Sequence, residues 1–512
     1  MKKRLISSVV IVALMSSILG ACGGKESANS GSAGKAGSKS TNASQEYDPN
    51  SHLEFTWLNI LHTPSPPTNT IKSKIEEYTN TKITFNWVPD ASKEERITTA
   101  LASGELADIV TLTMMTNSTV RSSLKSGLFW DVGPYLDDYP NLKNIKPEVR
   151  EAASIEGVLY GVPFQKNLAR GGLILRKDWL DNLGLEVPTT LDELYEIARA
   201  FTEDDPDGNG KHDTIGFADR SELRYSSFKT LSSYFGTPNG WKVDEDGKFT
   251  PEFDTPEYLE TLKYSRKLYE NGYLAQDFAV TAKKDQQQQI AQGKAGIYTG
   301  MVDIGSLRNL AEGLQSELEL VPVNKISNGD GVYRIWSEGS GVGGLLAFPK
   351  SEVKTEAHLK RLLQFVDNLI DEEVYMLMTG GIEGVHYEFD ENGAYKVIDS
   401  ELWQADAQPF SSSRPSEVTY TLKDANPEKQ LANELIREND QFAVFDPTVP
   451  LDSATANEQG TELEKLITDA TFKFIMGQGD EEDFKKAVET WKKSGGSKII
   501  SEYEEAYQKT KK

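Results

Sequence analysis

The sequence predicts an α/β protein built as two lobes. Three observations carry this reading: a strand–helix–strand–helix–strand succession early in the body, well-capped helices through the middle, and a body, beginning near Ser51, too long for one core. Residues 55–60 (FTWLNI) read as a first strand. Pro64, Pro66 and Pro67 mark a loop, and Ile71, Ile75 and Tyr78 line one face of a helix. Ile83, Phe85 and Trp87 alternate as a second strand. Residues 94–103 are helical up to Gly104, and residues 107–112 form a third strand. Such a run implies a parallel sheet with right-handed crossovers, whose ligands bind beyond the carboxyl ends of the strands. That rule singles out residues 59–62 and 113–117. Farther on, Thr190 and Glu193 form a capping box ahead of Leu191, Leu194, Tyr195 and Ala198. Thr255-Pro256 opens another helix, which Asn271-Gly272 closes. From about Gly460 the chain is helical, with Leu463, Leu466, Ile467 and Ala470, then Phe484, Val488 and Trp491, as apolar positions.

The N-terminus predicts export and anchoring. Lys2, Lys3 and Arg4 precede a mostly apolar stretch, residues 5–19, too short to stay as a spanning helix. Gly20 and Ala21 then precede Cys22, the only cysteine in the chain. The pattern resembles the lipobox of bacterial lipoproteins. Residues 1–21 are therefore read as a signal peptide and Cys22 as a lipid anchor, with palmitate among its acyl chains. A single cysteine leaves no internal disulfide. Residues 22–50 are rich in Gly, Ser, Ala, Asn and Lys, and form a flexible tether that would hold the body about 30 Å from the anchor. The expected location is the extracellular face of the cell membrane, with membrane contact through the lipid alone.

The formal charge is −24, and removal of the three leading cations makes the mature chain more acidic still. This argues against nucleic acid and against an anionic membrane surface as partners. It also disfavours a strongly anionic ligand unless a local basic cleft overrides the global field.

The sharpest motif in the body is residues 205–213 (DPDGNGKHD). Asp205, Asp207, Asn209 and Asp213 stand at loop positions 1, 3, 5 and 9, with Gly210 at 6 and the Lys211 carbonyl at 7. This is the first part of an EF-hand loop, in which alternate residues of a tight turn direct oxygen toward Ca2+. Position 12 is Gly216 where a bidentate Glu is usual, so Thr214, a distant carboxylate or water must complete the shell. A structural calcium ion is the one cofactor expected. Residues 339–344 (GSGVGG) match G-x-G-x-x-G but lead into a strand-like run, not a helix, so no dinucleotide site follows. There is no P-loop and no G-x-S-x-G, and the five histidines lack zinc spacing. No pair of carboxylates stands out as glycosidase acids.

Seven short stretches, in order, carry a family resemblance. They are residues 103–109 (SGELADI), 127–132 (GLFWDV), 157–163 (GVLYGVP), 175–180 (LRKDWL), 188–194 (PTTLDEL), 293–297 (GKAGI) and 381–384 (GIEG). Across nearly the whole mature chain they resemble the extracellular solute-binding proteins of carbohydrate ABC transporters, within the large lipoprotein branch similar to alginate-oligosaccharide binders. The resemblance implies a periplasmic-binding-protein-like fold with a hinge between lobes. The first lobe would span 51–165 and about 340–385, and the second 166–335 and about 386–512 with the C-terminal helices. It implies a non-catalytic receptor that hands a sugar or oligosaccharide to permease subunits, with the calcium loop away from the ligand. A secreted glycan-cleaving enzyme, or a receptor for a peptide or other small polar solute, are the alternatives.

Loop position and side-chain chemistry propose the ligand contacts. Asn59, Thr113 and Gln165 follow strands or the expected crossing. Trp241 and Trp336 are the stacking candidates, because sugar C–H faces pack on indoles. Asp303 and Glu383 are hydroxyl acceptors. Trp87, Trp130, Trp179 and Trp491 sit on regular apolar patterns and are assigned to the core.

Overall fold

A computed structural model describes residues 48–510 apart from Thr116 and Asp303. Cys22 and the tether lie outside the described residues, and so does the ligand contact expected at Asp303. The first sheet begins with β1 (Leu53–Leu61), β2 (Thr81–Pro89) and β3 (Ile109–Leu112). β1 pairs in parallel with β2 from Leu53 opposite Thr81 to Leu61 opposite Pro89, and with β3 at Trp57 opposite Ile109. The crossovers are the helices Asn69–Thr79 and Lys93–Ser103, the second ending on Gly104 in the left-handed conformation. β3 is shorter than the expected 107–112. The Asp108 carboxylate takes the Thr56 amide at 2.8 Å, so a side chain replaces the ladder there.

β4 (Gly161–Gln165) ends the first pass through this lobe. The chain then builds the second sheet from β5 (Gly171–Arg176) and β6 (Ile215–Ala218). A hairpin of β7 (Trp241–Val243) and β8 (Phe249–Pro251) follows, then β9 (Ala295–Met301) and β10 (Leu320–Val323). The second sheet has the order β10-β5-β9-β6, with β5 antiparallel to both neighbours and β9 parallel to β6. After the short β11 (Ile335–Trp336), β12 (Val342–Ala347) re-enters the first sheet, giving the order β2-β1-β3-β12-β4. The glycine run before and into β12 has a steric purpose. Gly344 has φ +141°, and a Cβ there would stand 2.4 Å from the Leu112 carbonyl oxygen.

Each sheet has its own core. The first gathers Trp57, Ile109, Leu112, Val162, Leu346 and Phe365, and the second Trp179, Phe201, Phe217, Leu262 and Ile297. The capping box at Thr190 and Glu193 is present, and Thr255 caps the helix Pro256–Glu270. The C-terminal helices Ala454–Ile475, Glu481–Trp491 and Ser497–Thr510 pack on the second core through Leu463, Ile467, Phe484, Val488, Trp491 and Ile499. The return to the first lobe outlasts the expected 340–385. Ala407 and Phe410 belong to the first core, because the Phe410 ring meets Phe85 and Trp87 at 5.9 and 6.2 Å. No helix among the described residues is long and apolar enough to cross a membrane.

Three stretches connect the lobes, near residues 166–170, 337–341 and 412–442. They are laced together. The Gln165 amide donates to the Pro415 carbonyl and its carbonyl accepts from the Glu417 amide, both at 2.8 Å. The Lys166 amide donates to the Gly341 carbonyl at 2.8 Å, and Ser337 Oγ to the Leu168 carbonyl at 2.6 Å. Asn439 Nδ2 donates to the Ala169 carbonyl at 3.0 Å.

A buried polar chain ties the third stretch to the first sheet. Trp57 Nε1 donates to Thr111 Oγ1 at 3.0 Å, and Thr111 Oγ1 to Asn59 Oδ1 at 2.9 Å. Asn59 Nδ2 donates to Ser413 Oγ at 2.6 Å, and Ser413 Oγ to the Pro409 carbonyl at 2.8 Å. Asn59→Ala removes the acceptor of the Thr111 hydroxyl and the donor to Ser413 Oγ, and the expected loss of stability is on the order of 1–3 kcal/mol. Urea unfolding measures it. A loss below about 0.5 kcal/mol, the range of ordinary surface changes, would show that the chain of bonds does not hold the segment.

Candidate functional site at the lobe crossing

Residues beyond the carboxyl ends of β1, β2 and β6 meet the connecting stretches. From the first lobe, His62 Nδ1 lies 3.5 Å from Asp90 Oδ1, and Lys93 Nζ lies 2.6 Å from the same oxygen. Burial above all, with Lys93 and Lys166 adding to it, holds the imidazole below its usual range against the upward pull of Asp90. From the crossing, Lys166 is ion-paired with Glu417, and Arg170 Nη2 stands 2.6 Å from Glu338 Oε2. From the second lobe, the loop after β6 brings Arg220, Arg224 and Tyr225. The Tyr225 hydroxyl donates to Glu338 Oε1 at 2.7 Å. Burial works against the Glu338 charge, yet Arg170, Tyr225 and Arg224 together keep its carboxyl below the usual range. Burial and the Glu338 bond push Tyr225 up to about 12.

Beneath this loop Asp219 is fully buried. It accepts from the Ser227 amide at 2.8 Å, Ser227 Oγ at 2.6 Å and the Arg220 amide at 2.9 Å. Burial outweighs these bonds and pushes its carboxyl up to about 6. The Tyr225 and Trp336 rings meet edge to face at 5.8 Å. The Arg220 guanidinium lies 5.1 Å from the Tyr225 centroid and that of Arg224 5.7 Å from the Trp336 centroid, so each cation is oriented by an aromatic face. Arg170 Nε, Arg220 Nε and Nη1, Arg414 Nε and Thr113 Oγ1 are buried without a hydrogen-bond partner among the described residues. Each such group costs on the order of 1–3 kcal/mol when left unpaired. Gathered around one crossing, they give it a buried layer of polar groups without partners.

The expected contacts fall unevenly on this surface. Thr113 directly follows β3, with its hydroxyl unpaired. Gln165 is the last residue of β4 and the point where the crossing stretches meet. Asn59 must be corrected: it lies inside β1, is 1% exposed, and its amide is committed to Thr111 and Ser413. Trp241 must be corrected too. Its ring packs against Tyr503 at 5.2 Å and Trp491 at 6.1 Å, so the C-terminal helices cover it. Trp336, at 1% exposure, lies beneath Tyr225 and Arg224 as their support and offers no open stacking face. Glu383 is exposed on a turn bridged to Tyr387. Of the four indoles assigned to the core, Trp179 and Trp491 are buried, whereas Trp87 and Trp130 are only half-buried. Sequence reasoning passed over Arg170, Arg220, Arg224 and Tyr225. The available signal was a local crowding of arginines in an acidic chain, beside a strand, β6, that had not been assigned.

The acidic loop is ordered around Asn209. Its Nδ2 donates to Asp207 Oδ2 at 2.8 Å and Asp213 Oδ1 at 3.1 Å. Asp205 accepts from the Asn209 and Gly210 amides at 3.1 and 2.9 Å. No group of three His, Cys, Asp or Glu side chains among the described residues stands ready to hold a metal. Thr214 is removed as a completing ligand, because its hydroxyl is buried and donates to the Phe201 carbonyl at 2.8 Å. Gly216 is a packing residue: a Cβ there would sit 2.8 Å from the carbonyl oxygens of Ala198 and Tyr273.

Two α/β lobes, joined by three hydrogen-bonded stretches with a polar surface at the crossing, have the architecture of a two-lobed extracellular receptor. Residues 64–376 match the family described as bacterial extracellular solute-binding protein, and the chain belongs to that family. It is 45% identical over 506 residues to the polygalacturonan/rhamnogalacturonan-binding protein YtcQ of Bacillus subtilis (strain 168), covering 98% of each chain. It is 34% identical to lipoprotein LipO of the same organism, over 88% of this chain and 90% of that one. Among solved structures, an HMO-binding, ABC-transporter-associated solute-binding protein from Bifidobacterium longum infantis shares the fold. Its TM-score is 0.67 at 20% identity, over 90% of this chain and 99% of that one.

Proposed function

We propose that the protein is a lipid-anchored receptor on the extracellular face of the membrane, which binds a sugar or oligosaccharide at the lobe crossing and delivers it to the permease of an ABC transporter. The carrying observation is end-to-end similarity, at 45% identity, to a protein named for binding polygalacturonan and rhamnogalacturonan. The crossing supports it with unpaired N–H and O–H groups that match sugar oxygens. The reading is non-catalytic: the similar proteins are binding proteins. In a screen of oligosaccharides, a ligand present at about a hundred times its Kd should add roughly 2.7 kcal/mol to stability and raise the Tm. No shift with any saccharide would sink the receptor reading, and turnover of a hit would move it to an enzyme.

Anchoring rests on the sequence around Cys22 and on the similarity to a lipoprotein. Cys22→Ser should release the protein into the medium or leave it unprocessed, and fractionation reads the outcome. Unchanged membrane retention would remove the lipid from the account.

We further propose calcium as a structural ion at Asp205, Asp207, Asn209, the Lys211 carbonyl and Asp213. The support is chemical: the partial positive charge of the Asn209 amide stands between Asp207 and Asp213, where a cation would be attracted. Chelation should lower the Tm and added calcium restore it, while the paired change Asp205→Ala and Asp207→Ala removes that response. A Tm that ignores both additions would leave the loop as a turn.

A further inference from the structure

Away from the three connecting stretches, a guanidinium makes a further tie between the lobes. The helix Ser118–Lys125 follows the exit loop of β3 and belongs to the first lobe, since Val120 and Leu124 lie in the first core. Facing it is the turn before the helix Ala454–Ile475, which is fastened to the second lobe. Glu502, on the helix Ser497–Thr510, accepts there from Ser453 Oγ at 2.5 Å, from Thr455 Oγ1 at 2.9 Å and from the Thr455 amide at 3.0 Å.

Arg121 spans the gap between them. It is 7% exposed and always charged, so its N–H groups need acceptors. Nη1 donates to the Met115 carbonyl, in the exit loop, at 3.3 Å. Nη2 donates to the Leu451 carbonyl at 2.9 Å, and Nε to Asp452 Oδ1 at 3.2 Å. The second Asp452 oxygen takes Lys125 Nζ at 3.1 Å. Burial works against the Asp452 charge, yet Asn457, Lys125 and Arg121 hold its carboxyl below the usual range. Lobes that part here take Arg121 from two of its three acceptors, while its own loop keeps the third. A buried cation stripped of its partner is costly, so the arrangement in contact is favoured. The exit loop thus held also carries Thr113, whose hydroxyl has no partner among the described residues. We propose that Arg121 is a positioning residue, a clasp that ties the exit loop of β3 to Asp452 of the second lobe and so sets that loop and the two lobes relative to one another. The clasp acts whatever solute the crossing takes.

Hydrogen exchange on the full, ligand-free chain, read by mass spectrometry, tests the coupling across the gap. Asp452→Ala alters only the second lobe's side of the clasp. The Asn117 amide, in the first lobe, closes the exit loop on the Met114 carbonyl at 3.1 Å. In Asp452→Ala it should exchange roughly five- to tenfold faster. Leu362, deep in the first core, should keep its rate, which separates unclasping from a loss of global stability. In an Arg121→Gln background, adding Asp452→Ala should change the Asn117 rate no further, because both changes open one clasp. Arg121 is buried and its variant can lose stability, so its Tm is followed. Asp452 is partly exposed, and its single variant decides the case. An unchanged Asn117 rate in Asp452→Ala overturns the proposal, as does an equal acceleration at Leu362. An Asp452→Ala effect that persists in full without Arg121 overturns it as well.

Discussion

Three stretches of backbone must pass between two separately folded cores without leaving their polar groups unpaired, and the rest of the molecule is arranged around that requirement. Neither sheet can extend across the gap, so each stretch satisfies its neighbours. Gln165 bonds on both sides to residues 415 and 417, Lys166 reaches Gly341, and Asn439 reaches the Ala169 carbonyl. These bonds join the lobes without a sheet running between them. Asn59 belongs to the same economy of polar groups. Its amide fastens Ser413, and therefore the third stretch, to the floor of the first sheet.

Charge follows the same layout. The chain is strongly acidic as a whole, yet Lys93, Lys166, Arg170, Arg220, Arg224 and Arg414 collect where the lobes meet. An acidic body repels anions at long range, but salt limits that repulsion to about 8 Å under physiological conditions. At the crossing the nearby arginines therefore weigh more than distant carboxylates. Glu338 and Glu417 serve as internal counter-ions that fix Arg170 and Lys166 in place. Arg170 Nε, Arg220 Nε and Nη1, and Arg414 Nε keep no hydrogen-bond partner among the described residues.

Much of the fold was legible because it is written in short-range patterns. The alternation through Ile83, Phe85 and Trp87, the capping box at Thr190 and the stop at Gly104 all reappear in the structure. The site was legible only in outline. The carboxyl-end rule directed attention to the exits of the strands, where Thr113 follows β3 and Gln165 ends β4. Tryptophans failed as markers because an indole beside Asn or Gly in sequence carries no information about what covers it. Trp241 is half-buried against helices more than two hundred residues later, and Trp336 is covered by a loop more than a hundred residues earlier. Arg220 was missed for the converse reason. Its missing hydrogen bonds become visible only when the surrounding residues are placed.

The acidic loop shows how a neighbour can dictate the form of a motif. It follows the helix Leu191–Glu203 and feeds at once into β6, an edge strand of the second sheet. By position 12 the chain is already inside that layer. The Gly216 amide donates to Thr202 Oγ1 at 3.0 Å, and its α-carbon is pressed between backbone on two sides. A bidentate Glu cannot occupy this place without opening the packing of helix on strand. Position 12 of the loop is therefore given over to packing the second core. The packing requirement takes precedence because burying Phe201 and Phe217 stabilises the lobe whether or not an ion is bound, at about 25 cal/mol for each Å² of apolar surface removed from water.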